Sequence, residues 1–294
     1  MSGRSESARA KLNLSLDVLG KRPDGYHELR MVMQSSGLSD DVYVELREDG
    51  SFLAETNRRY IPSGEKNEAV KAARAFFSAA GLSLGAYIRI EKRIPVCAGL
   101  GGGSADAAAV LRALNALTGA NFGAERLREI AAQVGSDAPF CVEGGTALVT
   151  GRGEAVEDLP ALPDCGIVIC MPHFTCSTPE LFGRIDSRDS ACRPDTPGLL
   201  SALEAGDLAG VSRRMYNVFE DVLDRRSGRA VTEIKGSLLD SGALGAVMSG
   251  SGSAVFGIFR PGPAAGEAAR AVSHLCREVF VTRAEPKYEN LGSN

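Results

Sequence analysis

The sequence lacks the long apolar run that a membrane-spanning helix requires. The 294 residues contain no stretch of about 18 apolar residues, and MSGRSESARAK at the start has no signal-peptide core. A basic excess is also absent, since 33 lysines and arginines stand against 37 aspartates and glutamates. The formal net charge of −4 disfavours a nucleic-acid partner. We therefore expect a cytoplasmic protein that binds neither membrane nor nucleic acid.

Paired cysteines are absent as well. The seven cysteines are scattered along the chain, and none of them forms a Cys-x-x-Cys pair. Several have apolar neighbours, as Cys141 and Cys170 do. This pattern disfavours a disulfide framework and a structural zinc site, and it predicts reduced, mostly buried thiols.

Internal repeats and low-complexity tracts are missing too, and the composition is that of an ordinary globular protein. A chain of this length is expected to form two domains. The composition changes at LPALP, so we predict one domain over residues 1–160 and a second over residues 161–294. Strands and helices alternate without regular β-α-β units, which indicates α+β domains.

The most distinctive stretch is PVCAGLGGGSADAAAVLRALNAL, residues 95–117. An apolar segment of strand character precedes it, and it ends in an alanine-rich run with leucines at helical spacing. Glycines let the backbone approach a ligand closely, and a helix that begins directly after them presents unpaired N–H groups to an anion. The order of strand, glycine loop and helix predicts a phosphate site. A flexible surface loop is the alternative.

Two common phosphate-binding patterns do not fit this loop. The pattern G-x-x-x-x-G-K-[ST] fails because the loop contains no lysine and Ala105 follows Ser104. The pattern G-x-G-x-x-G fails because four glycines crowd into the five positions 99–103. Any phosphate site here is therefore of another kind.

Three further features carry candidate side chains. Residues 10–19, AKLNLSLDVL, alternate between apolar and polar, which predicts a strand with Lys11 and Asn13 on one face. Taken alone, that face is more simply a solvated outer face. Tyr26 and His27 follow a Pro-Asp-Gly turn and would suit a bound ring, or a packed loop corner. Asp137, in a turn of small residues, is by itself most simply a cap.

Three separated blocks resemble the motifs of the GHMP small-molecule kinases in order and rough spacing. They are the strand with Lys11 and Asn13, the loop PVCAGLGGGSADAA and the loop MSGSGSAVF. Within that superfamily, AKLNLSLDVLGKRPDGYHEL, GSDAPF and STPELF are similar to the 4-diphosphocytidyl-2-C-methyl-D-erythritol kinase family. The resemblance covers most of the chain, and the block that ends in DGYHEL is its most specific part.

The resemblance implies a GHMP kinase fold of α+β type. Its N-terminal, ATP-binding domain would be like ribosomal protein S5 domain 2, and its C-terminal domain would be ferredoxin-like, with the site in the cleft between them. It also implies phosphorylation of the 2-hydroxyl of 4-diphosphocytidyl-2-C-methyl-D-erythritol by ATP and Mg²⁺, a step of non-mevalonate isoprenoid synthesis. The oligomeric state, monomer or homodimer, and the metal ligands stay open.

The resemblance also implies roles for individual residues. Lys11 and Asp137 would be the catalytic pair, and Asn13 would lie near the reacting group. Tyr26 and His27 would hold the cytosine, and Phe182 would stack on it. The triphosphate would be bound by the loop residues Pro95, Val96, Cys97, Ala98, Gly99, Leu100, Gly101, Gly102, Gly103, Ser104 and Ala105.

The chain departs from the family pattern at a few positions. Ala105 stands where many members have a second serine, and Cys97 stands where a smaller residue is more usual. Asn67 is matched to an asparagine near the adenine pocket, although Glu68 follows it where the family has leucine. Asp106 would either favour the helix dipole or reach Mg²⁺, and the first is the simpler interpretation.

Two other functions stay open at this point. One is a GHMP kinase that acts on another alcohol, such as homoserine or mevalonate, which would have no need of Tyr26 and His27. The other is a nucleotide-binding protein without catalytic activity, which the presence of both Lys11 and Asp137 disfavours. Nothing in the sequence supports a purely structural role.

Overall fold

The computed structural model describes residues 3–187 and 192–289. Its first half contains strands and helices in mixed order. They are β1 (Gly3–Lys21), β2 (His27–Arg47), β3 (Phe52–Thr56), α1 (Glu68–Ala80), β4 (Gly85–Glu91), α2 (Gly102–Thr118), α3 (Ala124–Ala131), α4 (Ala138–Glu143), β5 (Thr146–Gly151) and β6 (Ala155–Asp158).

The second half is richer in short helices. Its elements are β7 (Gly166–Met171), α5 (Thr178–Asp186), α6 (Thr196–Glu204), α7 (Leu208–Arg213), β8 (Tyr216–Asn217), a 3₁₀ turn (Val218–Val222), α8 (Arg225–Asp240), β9 (Gly245–Met248), β10 (Val255–Phe259), α9 (Ala264–Val272), a 3₁₀ turn (Ser273–Leu275) and β11 (Glu278–Arg283).

Two sheets organise these elements. The first has the strand order β3-β4-β2-β1-β8, and β5 also pairs with β2 while β6 pairs with β5. The long antiparallel hairpin of β1 and β2 forms its centre. Helices α1 and α2 pack together and cover this sheet. The second sheet is antiparallel with the order β11-β7-β10-β9, and α8 and α9 pack on it. The predicted α+β architecture is confirmed.

The two halves are interlocked rather than joined by a simple linker. Strand β8 of the second half pairs in parallel with β1, and the segment after β11 returns to the first half through a bridge between Ser36 and Ala284. The predicted boundary between residues 160 and 161 falls in the connection from β6 to β7. It stays a prediction. Among the described helices, none has both the length and the apolar character needed to cross a membrane.

The alternating pattern correctly predicts a strand in β1, but the expectation of a solvated polar face is wrong. Lys11 is 4% exposed and Asn13 is fully buried. The backbone N–H of Lys11 donates to the Leu100 carbonyl at 3.0 Å, and that of Asn13 donates to Ser249 Oγ at 3.2 Å. The glycine loop and the second half of the chain therefore cover this face, which makes its polar residues candidates for a site.

Other predicted elements have mixed outcomes. The apolar spacing of residues 67–80, followed by Gly81, predicts a helix that stops at this glycine. Helix α1 confirms it, with Asn67 as its N-cap and Gly81 as its C-cap. The sequence pattern also predicts a helix over residues 211–223, and this prediction is wrong, because α7 ends at Arg213 and β8 follows. There the Asn217 side chain donates to the carbonyls of Met248 and Gly250, both at 2.7 Å, so tertiary contacts replace helical ones.

The sequence pattern predicts a loop for the segment PHFTCSTPELF, and the second part of this segment is instead helix α5. Its proline is compatible with this helix because Pro179 lies in the first turn, where the missing N–H has no helical partner. The predicted polar excursion over residues 184–197 lies partly outside the described residues, and α6 begins at Thr196 within it.

Candidate active site

A cavity of about 670 Å³ opens between the two halves of the chain. The first half contributes Lys11, Tyr26 and Asp137 to its lining, and the second half contributes Phe182 and Ser251. Residues that the sequence singled out in three separate blocks thus surround one space.

The glycine loop forms the floor of this cavity at the start of α2. Gly101 is the N-cap in a left-handed conformation, with φ of +66°. The first hydrogen bond of the helix runs from the Ala105 N–H to the Gly101 carbonyl, at 2.8 Å. The N–H groups of residues 102–104 therefore lie outside the helical ladder, at the positive end of the helix dipole. This is a helix N-terminus suited to bind an anion.

The loop is fixed rather than a free surface segment. Ala254 N–H donates to the Ala98 carbonyl at 3.0 Å, and Leu100 is buried. A Cβ placed on Gly99, where φ is +76°, would lie 2.1 Å from the Ser249 carbonyl oxygen. Only a glycine fits at this position, and the alternative of a flexible surface loop is not supported.

The loop residues differ in how they relate to the cavity. Gly99 and Ser104 contribute to its lining. Pro95, Ala98, Leu100 and Ala105 are buried, whereas Cys97 is exposed and has a positive φ of 56°. Gly101 is the N-cap of α2 and Gly102 and Gly103 are its first two residues, whereas Val96 is half-buried in the preceding turn.

Lys11 and Asp137 meet at the edge of the loop. Lys11 Nζ lies 3.3 Å from Asp137 Oδ2, and it donates a hydrogen bond to Asn13 Oδ1 at 2.7 Å. Asp137 occupies the N-cap position of α4, but its side chain makes no hydrogen bond to the first turn of that helix. Because its carboxylate is not used as a cap, it is available to a ligand. The lysine is buried, whereas the Asp137 side chain is 29% exposed.

The loop MSGSGSAVF lies in the second half of the chain and contacts both the glycine loop and β1. Ser249 Oγ donates to the Gly99 carbonyl at 3.0 Å while it accepts from the Asn13 N–H. Ser251 Oγ lies 2.6 Å from Thr178 Oγ1 at the start of α5. The loop MSGSGSAVF therefore fixes the positions of β1 and of the glycine loop.

An aromatic group lies at the opposite end of the cavity. The rings of His27 and Phe182 stack with centroids 4.3 Å apart and an interplanar angle of 16°. His27 Nε2 lies 2.7 Å from Asp186 Oδ1, one helical turn after Phe182, and this hydrogen bond lowers the pKa of Asp186. Tyr26 is 55% exposed, and the Arg152 guanidinium lies 4.7 Å from its ring centroid.

Two residues matched to the nucleotide or the metal have other contacts. Asn67 caps α1, since its Oδ1 accepts from the Ala69 N–H at 2.9 Å and its Nδ2 donates to the Pro62 carbonyl at 2.8 Å. Asp106 is buried, and Lys92 Nζ donates to its Oδ2 at 2.6 Å and to Asp40 Oδ2 at 2.5 Å. Burial raises the pKa of Asp106 well above its usual value.

Among the described residues, four charged side chains line the cavity without a role predicted from the sequence. They are Lys21, Glu68, Arg152 and Asp186. Asp186 follows Phe182 by four residues, so helical spacing would have indicated it once α5 was recognised. Burial raises the pKa of Glu68, and the charge of Asp137 adds to the effect. No sequence signal separates Glu68 from an ordinary acidic residue at a helix start.

The cavity contains oxygen donors of the kind that Mg²⁺ prefers. Carboxylates of Glu68 and Asp137 and the Ser104 hydroxyl line it together. Within the described ranges, no group of three or more His, Cys, Asp or Glu side chains forms a complete metal site. Magnesium in phosphate-binding sites usually has one or two carboxylate ligands and takes the others from phosphates and water. The donors present fit that arrangement.

Comparison with known families agrees with the fold and the site. Residues 67–145 match the family described as GHMP kinases N terminal domain, and residues 199–278 match GHMP kinases C terminal. A crystal structure of homoserine kinase from Cytophaga hutchinsonii superposes with a TM-score of 0.80 over 98% of the chain and 96% of its own, at 20% identity. These matches define a GHMP kinase, a class that uses ATP as phosphate donor.

Closer relatives narrow the class. The 4-diphosphocytidyl-2-C-methyl-D-erythritol kinase of Acetivibrio thermocellus is 42% identical over 96% of the chain and 99% of its own length. That of Listeria monocytogenes is 39% identical over 97% of both. A crystal structure of 4-(cytidine 5'-diphospho)-2C-methyl-D-erythritol kinase has a TM-score of 0.78 at 35% identity, covering 96% of the chain and 99% of its own. The chain belongs to the 4-diphosphocytidyl-2-C-methyl-D-erythritol kinase family.

Proposed function

We infer that the protein transfers the γ-phosphoryl group of ATP to the 2-hydroxyl of 4-diphosphocytidyl-2-C-methyl-D-erythritol, in the non-mevalonate isoprenoid pathway. One observation carries the inference. A single cavity has a phosphate-binding helix start and the Lys11–Asp137 pair at one end, and the stacked His27 and Phe182 rings at the other. It is therefore suited to a substrate with a reacting alcohol at one end and a flat base at the other.

Asp137 is proposed as the general base. A tertiary alcohol is a weak nucleophile, so a carboxylate within hydrogen-bond reach should accept its proton as the bond to phosphorus forms. Lys11, 3.3 Å from that carboxylate, offers positive charge to the moving phosphoryl group. Asn13 holds the ammonium in place through its Oδ1.

The triphosphate is proposed to bind at the start of α2. Backbone N–H groups of residues 102–104 supply the donors, which explains how the loop binds phosphate without a lysine of its own. Bound with the nucleotide, Mg²⁺ would neutralise charge on the phosphates. The residues that orient the nucleotide are fixed by the contacts between the glycine loop and the loop that contains Ser249.

The cytosine is proposed to bind beside His27, Tyr26 and Phe182. Asp186 accepts a hydrogen bond from His27 Nε2, so a neutral imidazole is left with Nδ1 as its acceptor. Because Phe182 already stacks on His27, the base must bind against this pair or separate the two rings. Lys21 and Arg152 are the remaining cations among the described residues that line the cavity, and they are suited to the diphosphate.

We further propose that the enzyme requires Mg²⁺, is a monomer or homodimer in the cytoplasm, binds no nucleic acid, and has two domains that meet between residues 160 and 161. All seven cysteines are free thiols in the structure, which suits a reducing compartment.

A coupled assay of ADP release tests the function. It is run with ATP, Mg²⁺ and 4-diphosphocytidyl-2-C-methyl-D-erythritol, in parallel with methylerythritol phosphate that lacks the cytidine. We expect turnover with the cytidylated compound and little without it, because the aromatic end would then be empty. Homoserine and mevalonate serve as further acceptors. Preferred turnover of either one would replace this function with that of another GHMP kinase.

A further inference from the structure

We propose that Glu68 is a ligand of the magnesium ion that accompanies ATP, which it binds together with the Ser104 hydroxyl. This inference rests on the proposed function only in taking ATP as the nucleotide. Glu68 is the first residue of α1, and it follows the Asn67 cap that fixes the start of this helix. The cap therefore determines where the Glu68 side chain emerges.

The glycine loop brings the start of α2 against this carboxylate. A Cβ placed on Gly103 would lie 2.5 Å from Glu68 Oε2, so a larger residue there would displace the side chain. Glu68 and Ser104 both line the cavity, with Asp137 nearby. The carboxylate thus lies beside the N–H groups that are proposed to bind phosphate.

The Glu68 carboxylate would repel a bound phosphate unless a cation lay between them. Glu68 Oε2 is buried and has no hydrogen-bond partner among the described residues. Lys11 already forms an ion pair with Asp137, and Lys92 forms ion pairs with Asp40 and Asp106. Phosphate at the start of α2 would therefore meet a carboxylate that has the Ser104 hydroxyl as a neighbour but forms no ion pair among the described residues, and the two would repel each other. A divalent cation between them turns this repulsion into coordination, and oxygen donors of this type suit Mg²⁺.

The ordinary alternative is a stabilising charge at the start of α1. An acidic residue in the first turn favours the helix dipole, and Lys71 lies one turn further along the same helix. That role would be reflected in thermal stability and would leave the metal dependence of nucleotide binding unchanged. Metal dependence therefore separates the two interpretations.

The test measures ADP affinity by calorimetry with and without Mg²⁺, for wild type and Glu68→Gln. We expect Mg²⁺ to strengthen ADP binding in wild type, and the variant to lose about tenfold or more of that gain. Without Mg²⁺, the variant should bind ADP at least as tightly as wild type, because the repulsion is gone. Binding of Mn²⁺ to the ADP complex, followed by electron paramagnetic resonance, should weaken in parallel.

Glu65→Gln is the matched control, since it removes the same charge from an exposed residue that pairs with Arg74 outside the cavity. It should retain the full Mg²⁺ effect. If Glu68→Gln does not fold, Glu68→Asp retracts the same charge by one methylene and should show a partial loss.

An equal Mg²⁺ effect in wild type and the Glu68 variant would overturn the proposal, and so would a loss of ADP binding that is independent of metal. Neither measurement requires the phosphoryl acceptor, so a failure of the proposed acceptor specificity would be seen separately.

Discussion

Lys11 Nζ lies between two oxygens, 2.7 Å from Asn13 Oδ1 and 3.3 Å from Asp137 Oδ2. The closer contact is to the neutral amide, and the longer one is to the carboxylate that faces the cavity. Lys11 is thus held by Asn13 and still leaves Asp137 free to bind a substrate hydroxyl. This arrangement gives each residue a separate role, and those roles can be tested.

Replacing Asp137 with asparagine should abolish most of the turnover. The amide keeps the shape of the side chain but cannot accept the hydroxyl proton, so we expect kcat to fall by about 10²–10⁴. Nucleotide binding should persist, because the α2 start and its loop are untouched. Steady-state kinetics and ADP calorimetry measure the two effects. Near-wild-type turnover would contradict the role of Asp137 as general base.

The fit of the glycine loop can be tested with two glycines that share a left-handed conformation. Gly99 has φ of +76° and faces the Ser249 carbonyl, whereas Gly119 has φ of +65° and a Cβ placed on it would meet nothing within 4 Å. Gly119→Ala should cost about 1–2 kcal/mol of stability from backbone strain alone. Gly99→Ala must also move the loop, and we expect a loss of about 10² in kcat/KM for ATP.

Denaturant unfolding and kinetics on both variants separate strain from displacement. Equal kinetic losses in the two variants would show that the contact between Gly99 and Ser249 does not position the phosphate site. A loss of stability in Gly99→Ala with intact kinetics would lead to the same conclusion.

The sequence predicts much of this site because its residues lie in short local motifs. The alternation in β1 correctly predicts a strand with Lys11 and Asn13 on one face. The burial of this face could not be predicted, because Ser249, which covers Asn13, lies 236 positions further along the chain. Glu68 was missed for a similar reason: its buried oxygen results from the packing of α1 against α2.

The errors in secondary structure also have a long-range origin. The predicted helix over residues 211–223 is interrupted because Tyr216 pairs with Ser15 in the first sheet. Local helical propensity is overridden there by a strand partner from the other half of the chain. By contrast, the bounds of α1 are predicted to within a residue, because both its Asn67 cap and its Gly81 stop are local signals.

The buried cluster under the glycine loop should make stability depend on pH. Burial raises the pKa of Asp106 well above 3.8, so its contribution to stability is complete below that value and is lost as pH rises through the folded-state pKa. Asp106→Asn removes this titration and keeps the shape. The unfolding free energy of the variant, relative to wild type, should therefore increase as pH rises from about 4 through the folded-state pKa of Asp106.

Lys92 is the cation of the same buried cluster, and its removal should destabilise the protein. Lys92→Met would leave Asp40 buried without its counter-ion and Asp106 without its hydrogen-bond donor, and we expect a loss of about 3–5 kcal/mol at neutral pH. Urea unfolding at several pH values measures both variants. Parallel pH profiles for wild type and Asp106→Asn would contradict the assignment of a raised pKa to this carboxyl.

Asp186 should affect the acceptor and not the nucleotide. It orients the His27 ring through a 2.7 Å hydrogen bond, at the end of the cavity away from the glycine loop. Asp186→Ala should raise KM for the cytidylated acceptor about tenfold, the size expected when one hydrogen bond to an ionised group is lost. KM for ATP should not change. Asp186→Asn keeps an acceptor oxygen, so its KM for the cytidylated acceptor should lie between those of wild type and Asp186→Ala.

Glu180→Gln is the control for Asp186, because it lies on the same helix and pairs with Arg184 outside the cavity lining. It should leave both KM values unchanged.

The His27 hydrogen bond lowers the pKa of Asp186, so this carboxylate stays ionised down to below 3.8, and its contact is lost only as pH falls through the lowered pKa. Titration of Asp186 should therefore contribute no difference in the effect of Asp186→Ala between about pH 6 and about pH 8. A rise in KM for ATP in that variant would show instead that Asp186 supports the whole cavity, and the separation of its two ends would be wrong.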